Sequence, residues 1–456
     1  MAIGRLVIVG ASLAGLRAAQ AARGGGFDGE LVAIGAEPHP PYTRPPLSKE
    51  LLKGEREPEH CLLDGCESLG VEWRFGVRAV ALDRSRREVV LEDGERVRYE
   101  RLIVATGCRA RPWPGPGGDL DGVHTLRELD DALALRAAIE RGEPLVIVGA
   151  GFIGCEVAAS ARARGVEVTL IDVLEQPMPA LGPELGRRCA QLHADRGVRL
   201  RLGCGVSALR GHGHVELVEL ASGERLPAGR VLVALGALAN DGWLERSGLK
   251  LERAVASGER AGASTGRGVR TTHAGASAGR GAEQPEDRAP APVAGGGLCV
   301  DRTLTATGDP DVLAAGDIVS WPHPLAGGRR VRVEHWTNAA EQGQLAGRNA
   351  LLAPEARRPY VNVPYFWSDQ YEVKIQVAGF PALGERVEVL EASEGGERLV
   401  AACARGERAL GVVAFNAAAR LARYRRELAR GPSLEQLREL ARADERALGA
   451  PTGVRL

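Results

Sequence analysis

Lysine is almost absent from this chain: only four of its 59 basic residues are lysine, at positions 49, 53, 250 and 374. Acidic residues also number 59, so the formal net charge is zero. That balance excludes a surface built to coat nucleic acid. Aromatic residues are scarce as well, with six each of Trp, Tyr and Phe, so any clustering among them carries information. No apolar run approaches the roughly 18–20 residues that a membrane span needs, and no membrane contact is expected. The eight cysteines run from Cys61 to Cys403 with no repeated metal-ligand spacing. No metal site is therefore expected, and a reduced, cytoplasmic setting is the simplest reading. Residues 1–20 place Arg5 ahead of an apolar run, as a signal peptide would. Gly10, Gly15 and the missing small-residue cleavage pattern argue against that reading.

At 456 residues the chain is too long for one hydrophobic core, so two or three domains are expected. Arg5-Leu-Val-Ile-Val-Gly10 is a continuous apolar run suited to a strand buried on both faces. A glycine turn follows, then an Ala- and Arg-rich helix over Leu13–Arg23 and a second strand over Leu31–Ile34. The same β-α-β order recurs at Leu145-Val-Ile-Val-Gly149, with a helix over 153–164 and a strand over 166–171. Two such units predict an α/β fold with two Rossmann-like dinucleotide-binding domains. Residues 251–296 are dominated by Ala, Gly, Arg, Ser, Thr and Pro and should form a mobile loop. Tyr360, Tyr365, Phe366, Trp367 and Tyr371 then crowd together and mark a separate C-terminal module with its own packing. In its tail Asn416 is placed to cap a helix carrying Leu421, Tyr424 and Leu428 on one stripe. Arg420, Arg423, Arg426 and Arg430 lie on another face. Ser433 with Gln436 has the spacing of a capping box for the next helix.

The turn Gly149-Ala-Gly151-Phe152-Ile153-Gly154 fits the dinucleotide fingerprint completely. Gly149 permits the tight turn, Gly151 lets a pyrophosphate approach the backbone, and Gly154 lets helix and strand pack closely. The helix N-terminus supplies free N–H groups and partial positive charge for phosphate. Asp172 ends the following strand, where a carboxylate accepts from both ribose hydroxyls and repels a 2′-phosphate, so NADH is expected over NADPH. The first turn, Gly10-Ala-Ser12-Leu-Ala14-Gly15, has Ser12 in place of the middle glycine. The acid expected after its second strand is displaced too, with Ala36 at that position and Glu37 following as the candidate ribose ligand. Two dinucleotide sites in one chain are most economically a flavin adenine dinucleotide and a nicotinamide, meeting at their rings. Ala105-Thr106-Gly107 and Gly316-Asp317 then end strands that line the first site, with Asp317 available to the ribityl chain or its phosphate.

With these motifs in view, the sequence resembles the FAD-dependent, NADH-specific ferredoxin reductases, which share the glutathione-reductase fold and serve cytochromes P450 and ring-hydroxylating dioxygenases. The resemblance rests on Pro41-Tyr-Thr-Arg44-Pro-Pro-Leu-Ser-Lys49, Gly149 to Glu156, Ala314-Ala-Gly-Asp317, Val333-Glu-His-Trp336 and Pro364-Tyr-Phe-Trp-Ser-Asp-Gln370. It implies FAD and NAD as cofactors and a small iron–sulfur protein of the ferredoxin type as partner. It also implies that Arg44 and Lys49 line the flavin, with Lys49 near N5, where an ammonium stabilises negative charge developing on the ring. Ala14, Val80, Arg127, Asp317 and Trp336 match flavin-contacting positions. Glu156 and Gly236 match positions near the nicotinamide, and Trp336 and Trp367 match the flavin edge. The implied division is 1–112 and 244–325 for the FAD domain, 113–243 for the NAD domain, and 326–456 for a C-terminal α+β domain. The Arg420–Arg430 face would offer a patch for an acidic ferredoxin.

Other chemistries compete. Cys61-Leu-Leu-Asp-Gly-Cys66 has a C-x4-C spacing that a disulfide reductase can use, but the last histidine is His335, so the His/Glu pair such enzymes need near the C-terminus is missing. A peroxide- or oxygen-reducing NADH oxidase would want a cysteine near Lys49. A non-catalytic flavoprotein sensor would have little use for the intact Gly149–Gly154 turn and Asp172.

Overall fold

The computed structural model describes residues 3–252 and 296–448. The segment read as a mobile loop therefore lies almost wholly outside the described residues. Arg5–Val9, whose last four residues are buried, is the central strand of a five-stranded parallel sheet. Glu30–Gly35 and Arg101–Val104 flank it, and Glu72–Phe75 and Val312–Ala314 form the edges. A second parallel sheet repeats the arrangement, with Leu145–Val148 at its centre between Val168–Asp172 and Arg230–Val233. In each, burial on both faces explains why the central strand is apolar throughout rather than alternating.

Each central strand ends in the glycine turn that its sequence announced. The helices that follow, Leu13–Gly24 and Phe152–Ala163, begin within one residue of the expected positions. A Cβ on Gly15 would lie 1.9 Å from the Gly10 carbonyl oxygen, and one on Gly154 would lie 2.0 Å from that of Gly149. Only glycine allows these helices to lie so close to their strands, which is what aims the helix N-termini at the sheet's C-terminal edge.

Helix Leu13–Gly24 also packs directly on Trp336–Ala350. A Cβ on Gly343 would come within 2.4 Å of the Ala14 carbonyl oxygen, and one on Gly347 within 2.2 Å of that of Ala18. Glycines facing alanines let two backbones touch, and this contact holds the helix that Trp336 opens against the helix that follows the first nucleotide-binding turn. Gln342 extends the tie, its Oε1 accepting from the backbone N–H of Gly316 at 2.9 Å.

The C-terminal module is a five-stranded antiparallel sheet, ordered Tyr365–Gln370, Val373–Gly379, Arg408–Phe415, Leu399–Arg405 and Arg386–Ala392. Helices Ala418–Leu428 and Leu434–Leu448 follow it. The expectation that it packs on itself is corrected, because its two faces feed two larger cores. Ile375, Val377, Val413 and Phe415 join the core around Leu145 and Ile147. Ala378, Val412 and Ala414 join the core around Leu6 and Ile8, together with Leu421, Tyr424 and Leu428. Strand alternation splits the sheet between the two.

The capping box appears as read, with Ser433 Oγ accepting from the Gln436 N–H at 3.2 Å and Gln436 Oε1 accepting from the Ser433 N–H at 2.8 Å. Asn416 does not cap the helix that follows it, Ala418–Leu428, whose N-cap position is Ala417. It sits in the left-handed region at φ 49°, which asparagine tolerates, and its Oδ1 accepts from the Lys374 N–H at 2.8 Å. No helix among the described residues is long and apolar enough to cross a membrane.

Candidate functional site: a cavity between the two nucleotide-binding turns

A cavity of about 950 Å³ runs from the first glycine turn to the point where the helix Phe152–Ala163 and the C-terminal sheet meet. That volume is at the upper end of the ~300–1,000 Å³ typical of small-molecule sites. Its wall includes Gly10, Ser12, Ala14, Glu37, Arg44, Lys49, Val80, Ala105, Thr106, Gly107, Arg127, Phe152, Ile153, Glu156, Gly316, Asp317 and Trp336. Of the residues read as cofactor-binding, Gly15, Gly149, Gly151, Gly154, Asp172 and Gly236 stand outside that wall. Gly15 and Gly154 act through packing, as described above. Gly149 and Gly151 form the second turn, Asp172 hydrogen-bonds to it, and Gly236 lies just beyond the neighbouring strand Arg230–Val233.

At the first turn, Ser12 opens the helix in extended conformation and makes no side-chain cap, so the first-turn N–H groups remain free for another acceptor. Glu37 stands beside it, tied to Arg44 at 2.5 Å and to the Tyr42 hydroxyl. Arg44 stacks over the Tyr42 ring at 4.8 Å and donates to the Arg127 carbonyl oxygen at 2.7 Å. Burial raises the Tyr42 phenol, which therefore stays protonated and accepts the Leu129 N–H at 2.9 Å.

Further along, Arg127 Nη2 donates to Asp317 Oδ2 at 2.5 Å, and Arg127 Nε to the Cys108 carbonyl oxygen at 3.2 Å. The Cys108 thiol lies 3.5 Å from the same Asp317 oxygen, and burial pushes it far above the ordinary thiol range, so it is inert. Arg332, buried, donates to the Asp317 carbonyl oxygen at 3.0 Å and pairs with Glu334 at 2.7 Å. His335 packs against Phe366 at 4.3 Å, and Phe366 meets Phe152 edge-on at 4.7 Å. Burial lowers the His335 imidazole to about 4, so it is neutral at physiological pH.

At the far end, Lys49 is no solvated helix-start lysine. Its Nζ donates to Glu156 Oε2 at 2.6 Å and to the Pro45 carbonyl oxygen at 3.1 Å, and both side chains of the pair are buried. Glu156 also accepts from Ser48 Oγ at 2.5 Å and from Ser368 Oγ at 2.6 Å. One carboxylate thus joins the segment after the first β-α-β unit, the second fingerprint helix and the C-terminal sheet.

At the second turn, Gly151 precedes a helix with no side-chain cap, and a Cβ added there would meet nothing within 4 Å. Asp172 Oδ2 accepts from the Ala150 N–H at 2.7 Å and Oδ1 from the Leu174 N–H at 2.9 Å. The carboxylate therefore braces the turn, and each oxygen keeps a lone pair for a further donor.

Sequence reading missed several wall residues. Tyr42, Ser48 and His335 sit inside motifs already singled out, whereas Cys108, Trp243 and Arg332 carry no local signal. Cys61 and Cys66 are free and stand outside the cavity wall. The arginine face of the C-terminal helix is partly neutralised, with Arg420 on Glu391 at 3.1 Å and Arg430 on Glu427 at 2.8 Å.

Residues 4–257 match the Pyridine nucleotide-disulphide oxidoreductase family, and residues 365–446 match the Reductase C-terminal family. The biphenyl dioxygenase system ferredoxin--NAD(+) reductase component of Paraburkholderia xenovorans is 34% identical over 380 residues, covering 83% of this chain and 81% of that protein. Rhodocoxin reductase of Rhodococcus erythropolis is 33% identical over 416 residues, covering 90% and 86%. The crystal structure of the ferredoxin reductase for the CYP199A2 system from Rhodopseudomonas palustris superposes with a TM-score of 0.79 at 28% identity, covering 94% of this chain and 96% of that one. The chain belongs to the pyridine nucleotide-disulphide oxidoreductases, in their ferredoxin reductase branch, and is an oxidoreductase that works with FAD and NAD(H). The site suits both groups, since each glycine turn presents an uncapped helix N-terminus for phosphate and the cavity joins the first turn to the edge of the second unit.

Proposed function

We propose that this chain takes electrons from NADH and passes them to a ferredoxin-type iron–sulfur protein in the cytoplasm, which in turn serves a cytochrome P450 or a ring-hydroxylating dioxygenase. The observation that carries this reading is the single cavity that runs from the Ser12 helix N-terminus to the buried Lys49–Glu156 pair beside the second fingerprint helix. FAD, when bound, supplies the conversion of a two-electron hydride donor into a source of single electrons.

The chain's own residues bind and orient. The N–H groups after Ser12 take the flavin pyrophosphate, and Glu37 takes the adenosine ribose. Asp317, steered by Arg127 and Arg332, serves the ribityl chain. Lys49 holds positive charge at the ring, while Glu156 fixes its ammonium. The N–H groups after Gly151 take the nicotinamide dinucleotide's pyrophosphate, and Asp172 its ribose hydroxyls. Trp336 and Trp367 line the same cavity and would border the flavin. Ile153 and Phe152 shape the entry between the two sites. None of these roles needs a nucleophile, and Cys61 and Cys66 take no part.

The test is the visible spectrum of the purified protein during anaerobic titration with NADH, followed by mixing with a ferredoxin. A yellow protein that bleaches and then reduces the ferredoxin supports the reading. A protein that stays colourless with added FAD, or that NADH cannot bleach, overturns it.

A further inference from the structure

Glu156 is the inner end of a hydrogen-bonded chain that runs outward from the cavity. Its Oε1 meets Ser368 Oγ at 2.6 Å, and Ser368 Oγ meets Gln370 Nε2 at 3.0 Å. Gln370 Oε1 lies 3.0 Å from His193 Nε2, and His193 Nδ1 lies 3.0 Å from the Tyr371 hydroxyl. Ser368, Gln370 and His193 are each 0% exposed. The remaining Gln370 N–H points to the Met178 sulfur at 3.2 Å. Three separate elements contribute: the fingerprint helix 152–163, the helix Pro183–Asp195 and the hairpin that turns at Tyr371.

The direction of every hydrogen in this chain follows from one charge. Glu156, paired with Lys49, is a carboxylate and can only accept. Ser368 must then give its one hydroxyl hydrogen to Glu156, so whatever else touches Ser368 must donate to it. The amide nitrogen of Gln370 does so, which turns the Gln370 carbonyl toward His193. His193 must therefore carry its proton on Nε2 and leave Nδ1 bare for the Tyr371 hydroxyl. Burial lowers His193 to about 4, which keeps it in this neutral form. Tyr371 is held at φ 55°, a left-handed conformation that favours glycine, with the Arg196 guanidinium 5.2 Å over its ring. A tyrosine kept at a turn position better suited to glycine points to a side chain that is needed there.

We infer that His193 is a positioning residue for the reaction: through Gln370 and Ser368 it holds the Glu156 carboxylate aimed at Lys49. A donor fixed at each step keeps the carboxylate from rotating away, and so keeps the Lys49 ammonium in place. This rests on the function proposed above, but it makes a claim that can be read without turnover.

The experiment uses the FAD-loaded protein with 15N-labelled histidine, His193 being assigned by its loss in His193→Gln. His193 should appear as the pure Nε2–H tautomer. In Glu156→Gln, whose carboxamide can donate as well as accept, the forced direction is lost and His193 should become a tautomer mixture. In stopped-flow reduction by NADH, His193→Phe should be about tenfold slower, the worth of one buried hydrogen bond. His193→Gln, which restores a donor near Nε2, should recover most of that loss. An Nδ1–H tautomer in the unaltered protein, a tautomer indifferent to Glu156→Gln, or His193→Phe reducing at the unaltered rate each overturns the inference. If His193→Phe does not fold, the two tautomer measurements decide. If NADH fails to reduce even the unaltered protein, the proposed function falls while the tautomer result still stands or fails by itself.

Discussion

Lys49 Nζ lies 2.6 Å from Glu156 Oε2, and the two side chains are only 8% and 4% exposed. Their residues are 107 positions apart and come from different nucleotide-binding units. A buried pair of this kind contributes little net stability as a pair, because desolvation offsets the attraction. Removing one partner is another matter, since it strands the other charge.

Lys49→Met should therefore act twice. It leaves Glu156 buried without a cation, which costs roughly 3–5 kcal/mol, and it removes positive charge from the proposed ring site. The variant should keep its FAD, unfold at lower urea concentration and be reduced more slowly by NADH. Adding Glu156→Gln to it should restore much of the stability and none of the rate. A single variant as stable and as fast as the unaltered protein would make Lys49 a bystander.

Asp172 has two jobs that substitution can separate. Its Oδ2 accepts the Ala150 N–H within the fingerprint turn, and a remaining lone pair is proposed to take a ribose hydroxyl. Asp172→Asn keeps an acceptor for the Ala150 N–H, gives up the one for the Leu174 N–H, and removes the charge that repels a 2′-phosphate. It should narrow the preference for NADH over NADPH and cost about 1–3 kcal/mol of stability, because its NH2 group leaves the Leu174 N–H without an acceptor. Asp172→Ala should lose both, with about tenfold weaker NADH use for each hydrogen bond given up. Steady-state kinetics with both nucleotides check this, and unchanged selectivity in Asp172→Asn would remove the ribose role.

The fingerprint turns were legible because their physics is local: Gly15 and Gly154 answer to a carbonyl five residues away. Helix starts and the Ser433–Gln436 box were legible for the same reason. Asn416 misled because a cap residue and a left-handed turn residue share one amino acid, and only the distant partner, the Lys374 N–H, distinguishes them. The Glu156 cluster was not legible as a cluster. Its members Ser48, Lys49 and Ser368 lie 107 to 212 residues from Glu156, and no periodicity links them. Nor does anything near Arg332 announce that an almost fully buried guanidinium will meet Asp317 and Glu334.

Gly343 and Gly347 tie the helix behind Trp336 to the first nucleotide-binding helix, where added Cβ atoms would strike the carbonyl oxygens of Ala14 and Ala18. Backbone cannot move aside as a long side chain can, so Gly347→Ala should cost about 1–3 kcal/mol by overpacking. Because the strain falls on the helix that opens at Ser12, FAD should be lost more readily. The flavin-to-protein absorbance ratio after gel filtration measures this, and full retention would show that the helix contact does not set the site.

Two buried histidines and a partly buried one at the cavity wall predict how stability varies with pH. Burial lowers His193, His323 and His335 to about 4 each, from an ordinary value of 6.5. Between those values the unfolded chain binds protons that the folded protein refuses, so stability rises with pH there. The contribution is fully present above about pH 6.5 and is lost as pH falls toward 4. Each histidine adds up to about 1.4 kcal/mol per pH unit across that window. Urea midpoints measured from pH 4.5 to 8 should climb steeply to about 6.5 and then flatten. Replacing His323, which lies away from the cavity wall and accepts the Leu325 N–H on Nδ1 at 3.1 Å, with glutamine should lower the plateau and reduce the slope below it. A slope that survives the substitution intact would assign the acid sensitivity to other groups.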